Sequence, residues 1–152
     1  MFSFPHTGVY VLAYINPNLN IEGHLFKEAD TLDYFVKNST GDTYVVNYGE
    51  FYCGIIDLTN PEATEWYKNR VIRENMIDFG FGGWMADFGE YLPTDGVFHS
   101  GESGEVLHNR WPALWAQVNG IFLETLQTPH HIITKTTLLG RFLVVMEMSR
   151  VV

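Results

Sequence analysis

The chain has 152 residues, of which 46% are hydrophobic, so its length and apolar content suit one ordinary globular domain with a packed core. Its formal net charge is −9, and an acidic chain repels phosphate backbones, which argues against a nucleic-acid partner. The single cysteine, Cys53, excludes an internal disulfide framework and a cysteine-rich metal site, and we expect it to be a small buried hydrophobic residue.

A secretory signal is not evident in the sequence, and we expect no membrane span. No apolar run approaches the roughly 20 residues that cross a bilayer, and the first residues carry no basic segment followed by an unbroken apolar stretch. This pattern favours a cytoplasmic location. Aromatic residues make up 15% of the chain; they can stack on sugars, but composition alone favours a place in the core.

The first half of the chain predicts strands and one short helix. Residues 9–16 (VYVLAYIN) form a short apolar and aromatic run stopped by Pro17, which predicts a buried strand followed by a loop. A short helix is predicted around residues 24–33. Residues 43–47 and 51–57 are rich in β-forming residues and flank a Tyr-Gly-Glu segment, which predicts a hairpin.

The clearest helix start follows the hairpin. The Thr59 hydroxyl stands three residues before the Glu62 carboxylate, with a proline in the first turn, which predicts a capping box and a helix that ends before Gly80. Residues 82–86 (GGWMA) are typical of a strand. From Trp111 to about residue 126, apolar residues keep a three-four spacing, which predicts a second helix with Pro112 near its start.

This order of strands and helices predicts βα units around a parallel sheet. A closed (β/α)₈ barrel needs roughly 250 residues, so we expect an α/β fold that is a partial barrel of two to three βα units with a hairpin insertion. Residues 1–127 are expected to form the barrel part. Apart from Gly140, residues 128–152 lack turn and cap signals, and we expect a divergent tail with one further strand over residues 141–148.

The tripeptide Asp-Phe-Gly occurs twice, at Asp78 and at Asp87. A protein kinase holds magnesium with this tripeptide only beside a catalytic loop, a glycine-rich loop, a strand lysine and a later Ala-Pro-Glu, and the chain lacks that set. We interpret Asp78 as a helix-end or turn residue. Asp87 ends a predicted strand, where a carboxylate can serve as nucleophile, general acid or base, metal ligand, or cap of the next loop. Glu90, three residues on, can orient such a site or lower the pKa of Asp87.

Residues 83–95 (GWMADFGEYLPTD), followed by 108–115 (HNRWPALW), closely resemble glycoside hydrolase family 31. Within the family they look most like the sulfoquinovosidases, which are α-glycosidases of a sulfonated glucose. Residues 14–17 and 57–63 also resemble its barrel segments, and the likeness runs from about Val9 to Leu126. The α-xylosidases usually differ around Met85 and Leu92, so they rank below; an α-glucosidase or α-xylosidase of the family remains the alternative.

The resemblance implies a retaining mechanism without a metal or other cofactor. In it, Asp87 is the nucleophile that forms a covalent glycosyl-enzyme, Glu90 supports it, and a second carboxylate about 5 to 5.5 Å away is the acid and base. The family carries that second group in a Trp-Gly-Asp segment, which does not occur in this sequence. We therefore expect the chain by itself to be inactive. The competing hypothesis is a non-catalytic fragment that binds sugar or another protein.

Two further residues are candidate substrate contacts. Trp84 precedes the nucleophile, and His108 belongs to the second matching block, where fixing a loop ranks above touching the sugar. A carbohydrate is the expected partner, and the uncovered edges of a partial barrel favour self-association. His130 and His131 lack an evident third metal ligand, so we expect them at the surface.

Overall fold

The computed structural model describes residues 11–125, 131–138 and 141–146. Its elements, in chain order, are β1 (Leu12–Ile15), β2 (Asn18–Asn20), α1 (His24–Thr31), β3 (Val45–Asn47), β4 (Tyr52–Ile55), α2 (Pro61–Trp66) with a π-helical continuation (Tyr67–Ile77), β5 (Gly83–Ala86), α3 (Gly104–Thr125), β6 (His131–Leu138) and β7 (Arg141–Met146).

The main sheet has the strand order β1-β5-β6-β7. Strand β5 pairs in parallel with β1 on one side and with β6 on the other. The connections from β1 to β5 and from β5 to β6 both contain helices, as parallel neighbours require. The described strands do not close a barrel, so the prediction of a partial barrel built from βα units is confirmed.

A second, three-stranded sheet with the order β2-β4-β3 lies in the first connection. Strands β3 and β4 form the predicted hairpin, with Val46 opposite Cys53. Strand β2 pairs antiparallel with β4, whereas the sequence predicted only a loop after Pro17. Three residues are too few to show an alternating pattern, so this strand depends on its neighbour and not on its own composition.

The helix that begins at Pro61 is capped by a different residue from the one predicted. Asn60 Oδ1 accepts hydrogen bonds from the backbone N–H groups of Glu62 at 2.9 Å and Ala63 at 3.4 Å. The predicted cap, Thr59, instead donates its hydroxyl to Asp57 Oδ1 at 2.6 Å. The capping box was therefore wrong by one residue, because Asn and Thr are both good caps and only geometry distinguishes adjacent candidates. The predicted end before Gly80 is confirmed, since Asp78 follows the last π-helical residue.

Helix α3 begins at Gly104, seven residues before the predicted start at Trp111, and Pro112 lies inside it. Leu107 already belongs to the buried face that continues through Trp111 and Trp115. The proline had suggested a start close to it, but a proline inside a helix removes one hydrogen bond without excluding the helix when the flanking residues are held by packing.

The tail contains two strands and not one. Strand β7 confirms the strand predicted from residue 141, while β6 was not predicted. Strand β7 runs antiparallel to β6, from which only residues 139 and 140 separate it. Such a short connection cannot return a parallel strand, so this hairpin departs from the βα pattern of the preceding units. His130 and the side chain of His131 lie outside the described part of the chain.

The core lies between the main sheet and the helices. Its largest fully buried side chains include Trp84, Trp111, Trp115 and Tyr67. Asn119, also buried, accepts a hydrogen bond from Trp84 Nε1 at 2.9 Å and donates one to the Trp115 carbonyl at 2.8 Å. This pairing satisfies the indole N–H that burial takes from water, so it fixes β5 against α3. In the described residues, no helix is long and apolar enough to cross a bilayer.

Candidate functional site

The candidate site lies where β1 and β5 end. Ile15 stands beside Ala86 in the register of these parallel strands, so the residues that follow, Asn16 and Asp87, are neighbours at the same sheet edge. The backbone N–H of Asp87 donates to the Ile15 carbonyl at 2.9 Å, which extends the pairing by one residue. The structure thus places Asp87 at the carboxyl end of a parallel strand, as the sequence predicted.

The two faces of β5 have different surroundings. Trp84 and Ala86 are buried, at 1% and 0% exposure, whereas Met85 and Asp87 on the alternate face are only partly buried. On the neighbouring strand, Tyr14 is 49% exposed. In a barrel, helices cover one face of the sheet and the other face is the interior. Asp87 lies on the uncovered face, whereas the indole of Trp84 points to α3, which does not support Trp84 as a substrate contact.

The Asp87 carboxylate accepts a hydrogen bond from a tyrosine of the neighbouring strand. The Tyr14 hydroxyl donates to Asp87 Oδ2 at 3.1 Å. Burial, together with the hydrogen bond and the charge of Asp87, raises the pKa of Tyr14 to about 12. A raised pKa favours the neutral phenol, so Tyr14 keeps its proton, and can donate this hydrogen bond, throughout the neutral pH range.

A sharp turn follows Asp87. Phe88 has φ 53°, a left-handed conformation that is uncommon for a residue with a side chain. The Phe88 ring packs edge-on against Tyr14, with centroids 6.5 Å apart, and lies at a tilt against Tyr91, with centroids 5.4 Å apart. In the described part of the chain, the buried Glu90 Oε2 has no hydrogen-bond partner. The Glu90 charge contributes to the raised pKa of Tyr14, so both carboxylates act on the same phenol.

His108 lies on α3 and holds the loop that follows the site. Its Nδ1 is 2.6 Å from the Leu92 carbonyl oxygen, and because a carbonyl only accepts, the ring donates. The residue is therefore inside the helix and not before it, and it contacts the loop as the preferred interpretation expected. Contact with a sugar stays a prediction.

A small pocket opens beside the turn, between the ends of the strands and the hairpin. It is lined by Asn16, Asn18, Tyr48, Phe51, Cys53 and Phe88. Cys53 is 4% exposed, which confirms the expected buried cysteine, and burial raises the pKa of its thiol. A thiol kept protonated is a poor nucleophile, so we assign it no chemistry.

Together these residues present one carboxylate to an open, partly aromatic surface. Among the described residues no group of three or more His, Cys, Asp or Glu side chains is placed to hold a metal ion. Tyr14 holds one oxygen of the Asp87 carboxylate, Oδ2, and a carboxylate is a group that can act as a nucleophile.

Tyr14 and the pocket residues of the hairpin were not among the site residues predicted from the sequence. The signal for Tyr14 was present, because both strands were predicted. Aligning their ends, Asn16 with Asp87, places Tyr14 beside Met85 and within reach of the carboxylate on the same face. The pocket residues had no comparable signal. The sequence of residues 48–53 predicts a hairpin but does not indicate which strand ends that hairpin lies against.

Comparison with known proteins gives one family. Residues 3–142 match the TIM-barrel domain of the glycosyl hydrolases family 31. The match passes the boundary predicted at residues 127 and 128, and the division of the chain there stays a prediction.

Two curated relatives share the name sulfoquinovosidase. One, from Escherichia coli K12, is 56% identical over 117 residues, which cover 77% of this chain and 17% of the relative. The other, from Agrobacterium fabrum C58, is 47% identical over 118 residues, 78% of this chain and 18% of the relative. The chain therefore spans less than a fifth of the length of these relatives.

The fold of the chain is also similar to that of a solved structure. A family 31 sulfoquinovosidase from E. rectale, in complex with an aza-sugar inhibitor, superposes with a TM-score of 0.81 at 43% identity. The superposition covers 88% of this chain and 20% of the solved one.

Proposed function

The chain belongs to glycoside hydrolase family 31, and on that premise we propose that it is the nucleophile-bearing part of the catalytic barrel of a retaining α-glycosidase. One observation carries this proposal. Asp87 stands at the carboxyl end of β5, beside the end of β1, on the sheet face that no helix of the described residues covers. Active sites of (β/α)₈ barrels lie at these strand ends.

In the proposed reaction, Asp87 attacks the anomeric carbon. A bond forms between its free oxygen and that carbon while the bond to the leaving oxygen breaks, and a carboxylic acid elsewhere in the complete enzyme protonates the leaving group. The same acid, now a carboxylate, then takes a proton from water. The water attacks the glycosyl ester and releases Asp87 with net retention of configuration. Glu90 supports the site through its charge, and no metal or other cofactor takes part.

For the substrate we propose α-sulfoquinovosides. The support is the identity of 56% and 47% to two proteins named sulfoquinovosidase, against 31% to a named α-xylosidase. Residues 83–95 also include Met85 and Leu92, around which the α-xylosidases usually differ from the sulfoquinovosidases. A sulfonated sugar carries one permanent negative charge, so in this proposal the complete enzyme would need a cationic side chain to hold it.

We further propose that the 152 residues by themselves do not turn over substrate. The sequence contains no Trp-Gly-Asp, so the acid that protonates the leaving group has no counterpart in it. Protonation of the leaving oxygen is worth about 10²- to 10⁴-fold in rate. Without it, attack by Asp87 on an unactivated glycoside is expected to be too slow to measure. In the same proposal, residues 1–127 form part of the catalytic barrel and residues 128–152 are a divergent tail.

A chimera tests the role of Asp87 without requiring activity from the isolated chain. The 117-residue segment that matches the Escherichia coli sulfoquinovosidase at 56% identity replaces its counterpart in that enzyme. We expect hydrolysis of a nitrophenyl α-sulfoquinovoside, and we expect Asp87→Ala to lower kcat by roughly 10³-fold or more. A mechanism-based label that traps the glycosyl-enzyme should be recovered on the peptide containing Asp87.

Asp78→Ala is the matched control, because it removes the aspartate of the other Asp-Phe-Gly at a helix end. It should leave kcat within about threefold. A label recovered on another carboxylate, or an active Asp87→Ala chimera, would refute the proposal. Robust hydrolysis by the isolated 152-residue chain would refute the claim of inactivity while leaving the role of Asp87 intact.

A further inference from the structure

Tyr14 contacts the Asp87 carboxylate from the adjacent strand. Its hydroxyl donates to Oδ2 at 3.1 Å, and among the described residues it is the only side chain that hydrogen-bonds this carboxylate. The contact joins residues 73 positions apart in sequence, so it is made by the parallel pairing of β1 with β5 and not by a local turn.

The backbone on both sides of this contact is held in place. Tyr14 pairs with Met85 in the strand register, and the Asp87 N–H donates to Ile15 one residue further on. The Tyr14 ring also packs edge-on against Phe88. With the backbone held, a directional hydrogen bond is still needed to fix the plane of the Asp87 carboxylate. The Tyr14 phenol provides this hydrogen bond.

We infer that Tyr14 is a positioning residue: its hydroxyl holds Oδ2 of Asp87 and so presents Oδ1 to the anomeric carbon. The inference rests on the proposed function. In the first step Oδ1 forms the ester bond as the leaving oxygen departs with a proton from the acid of the complete enzyme. Oδ2 becomes the ester carbonyl oxygen and still accepts from Tyr14. In the second step water, deprotonated by that same acid group, displaces Asp87, and Tyr14 again donates to the carboxylate.

Tyr14 keeps its proton in both steps. The two carboxylates that face it, Asp87 and Glu90, both disfavour a phenolate. The phenol is therefore a donor and not a general base. Because a hydrogen bond to a charged oxygen is stronger than one to a neutral oxygen, Tyr14 stabilises the departing carboxylate more than the ester.

The first test uses the 152-residue chain and needs no activity. The pKa of Tyr14 is read by NMR from tyrosine labelled at the ring carbon that bears the hydroxyl, with Tyr14→Phe to assign the signal. Asp87→Asn should move the pKa of Tyr14 down toward the ordinary 10, because it removes the charge on the acceptor. Asp78→Asn should leave it unchanged. If Asp87→Asn does not move it, the contact does not exist in solution and the inference falls.

The second test uses the chimera. Tyr14→Phe should lower kcat by about 10- to 100-fold, the value of one hydrogen bond to a charged group, and change KM less than about threefold. Tyr44→Phe is the matched control, since Tyr44 donates to Asp95 at 2.8 Å in the same kind of pair on another part of the surface. Equal kcat values for the two variants would overturn the inference.

The two tests separate the inference from its premise. If the label lands on Asp87 but Tyr14→Phe is as active as Tyr44→Phe, the function holds and the positioning role is wrong. If the label lands elsewhere while Asp87→Asn still lowers the pKa of Tyr14, the contact is real but the proposed function is wrong, and the catalytic role of Tyr14 falls with it.

Discussion

Gly89 stands between Asp87 and Glu90 and lets their loop lie directly on the indole of Trp115. A Cβ at this position would come within 2.7 Å of Trp115 Cδ1 and 3.2 Å of Cγ. Real Cβ atoms do not approach ring carbons so closely, and Trp115 cannot move because it is fully buried. The glycine is therefore required by space at the centre of the candidate site.

We predict that Gly89→Ala destabilises the chain by about 1–3 kcal/mol, the usual cost of inserting a methyl group into packed surroundings. Chemical unfolding followed by circular dichroism measures it. Gly120→Ala is the control, since a Cβ on Gly120 meets nothing within 4 Å and alanine favours a helix, so its effect should be neutral or stabilising. A neutral Gly89→Ala would show that the loop lies further from α3.

At this scale the sequence predicts the type of residue better than its contacts. Asp87 at a strand end could be predicted, because strand and residue are adjacent in the chain. The contact of Tyr14 could be predicted only by aligning the ends of the two strands, and the burial of Glu90 Oε2 without a partner could not be predicted, since it depends on how the chain turns after Phe88. The cap at Asn60 lies between these cases: the segment was predicted and the residue was wrong by one.

Among the elements, α1 and the helix that begins at Pro61 are joined by a charged cluster. Glu28 Oε1 accepts from Trp66 Nε1 at 2.8 Å and from Arg70 Nε at 2.9 Å, and Oε2 accepts from Arg70 at 2.9 Å. Arg70 also pairs with Glu74. These hydrogen bonds, those from Arg70 first, lower the pKa of Glu28 from 4.5 to about 2.

The lowered pKa of Glu28 makes the stability of the folded chain depend on pH. A carboxylate whose pKa is lower in the folded chain adds stability above pH 4.5, and this stability is lost as the pH falls toward 2. We predict that Glu28→Gln lowers Tm by about 2–4 °C at pH 7, because the pair is partly exposed, and has little effect near pH 2. Calorimetry at both pH values measures it. Glu50→Gln, in the exposed hairpin turn, is the control; a pH-independent effect of Glu28→Gln would contradict the ionic cause.

Element positions were easier to predict than element ends and directions. The strand at residue 83 and the apolar face around Trp111 could be predicted from their own patterns. The start of α3 at Gly104 could not, because Pro112 gave a competing signal. The antiparallel direction of β7 depends on the two-residue connection after β6, and β6 itself lacked the turn signals that mark a strand.

At the scale of the whole molecule, the unpaired edge of β1 is the main departure of the described residues from a closed domain. Val11, Leu12 and Tyr14 are 39%, 41% and 49% exposed, and in the described residues β1 pairs with β5 alone. Exposed apolar residues at an unpaired strand edge favour association with another chain. We propose that the isolated chain self-associates through this edge.

We predict that Leu12→Lys shifts the chain toward monomer, because a charge on the strand edge opposes pairing. Leu32→Lys is the matched control, since Leu32 is 45% exposed at the end of α1, away from the sheet edge. Light scattering across a range of concentrations measures the mass. A wild-type chain that stays monomeric, or an equal effect of both variants, would count against association through β1.

The burial of the tryptophans gives the molecule an optical reporter. All four tryptophans lie in the segment from Trp66 to Trp115, and three of them are fully buried where β5 packs on α3: Trp84 on the strand, and Trp111 and Trp115 on the helix. Their emission should be shifted to short wavelength in the folded chain and should move to longer wavelength only when β5 separates from α3. Intrinsic fluorescence therefore reports on the packing of β5 against α3 beneath the site. We expect no shift of the emission wavelength if the hairpin of β6 and β7 opens alone.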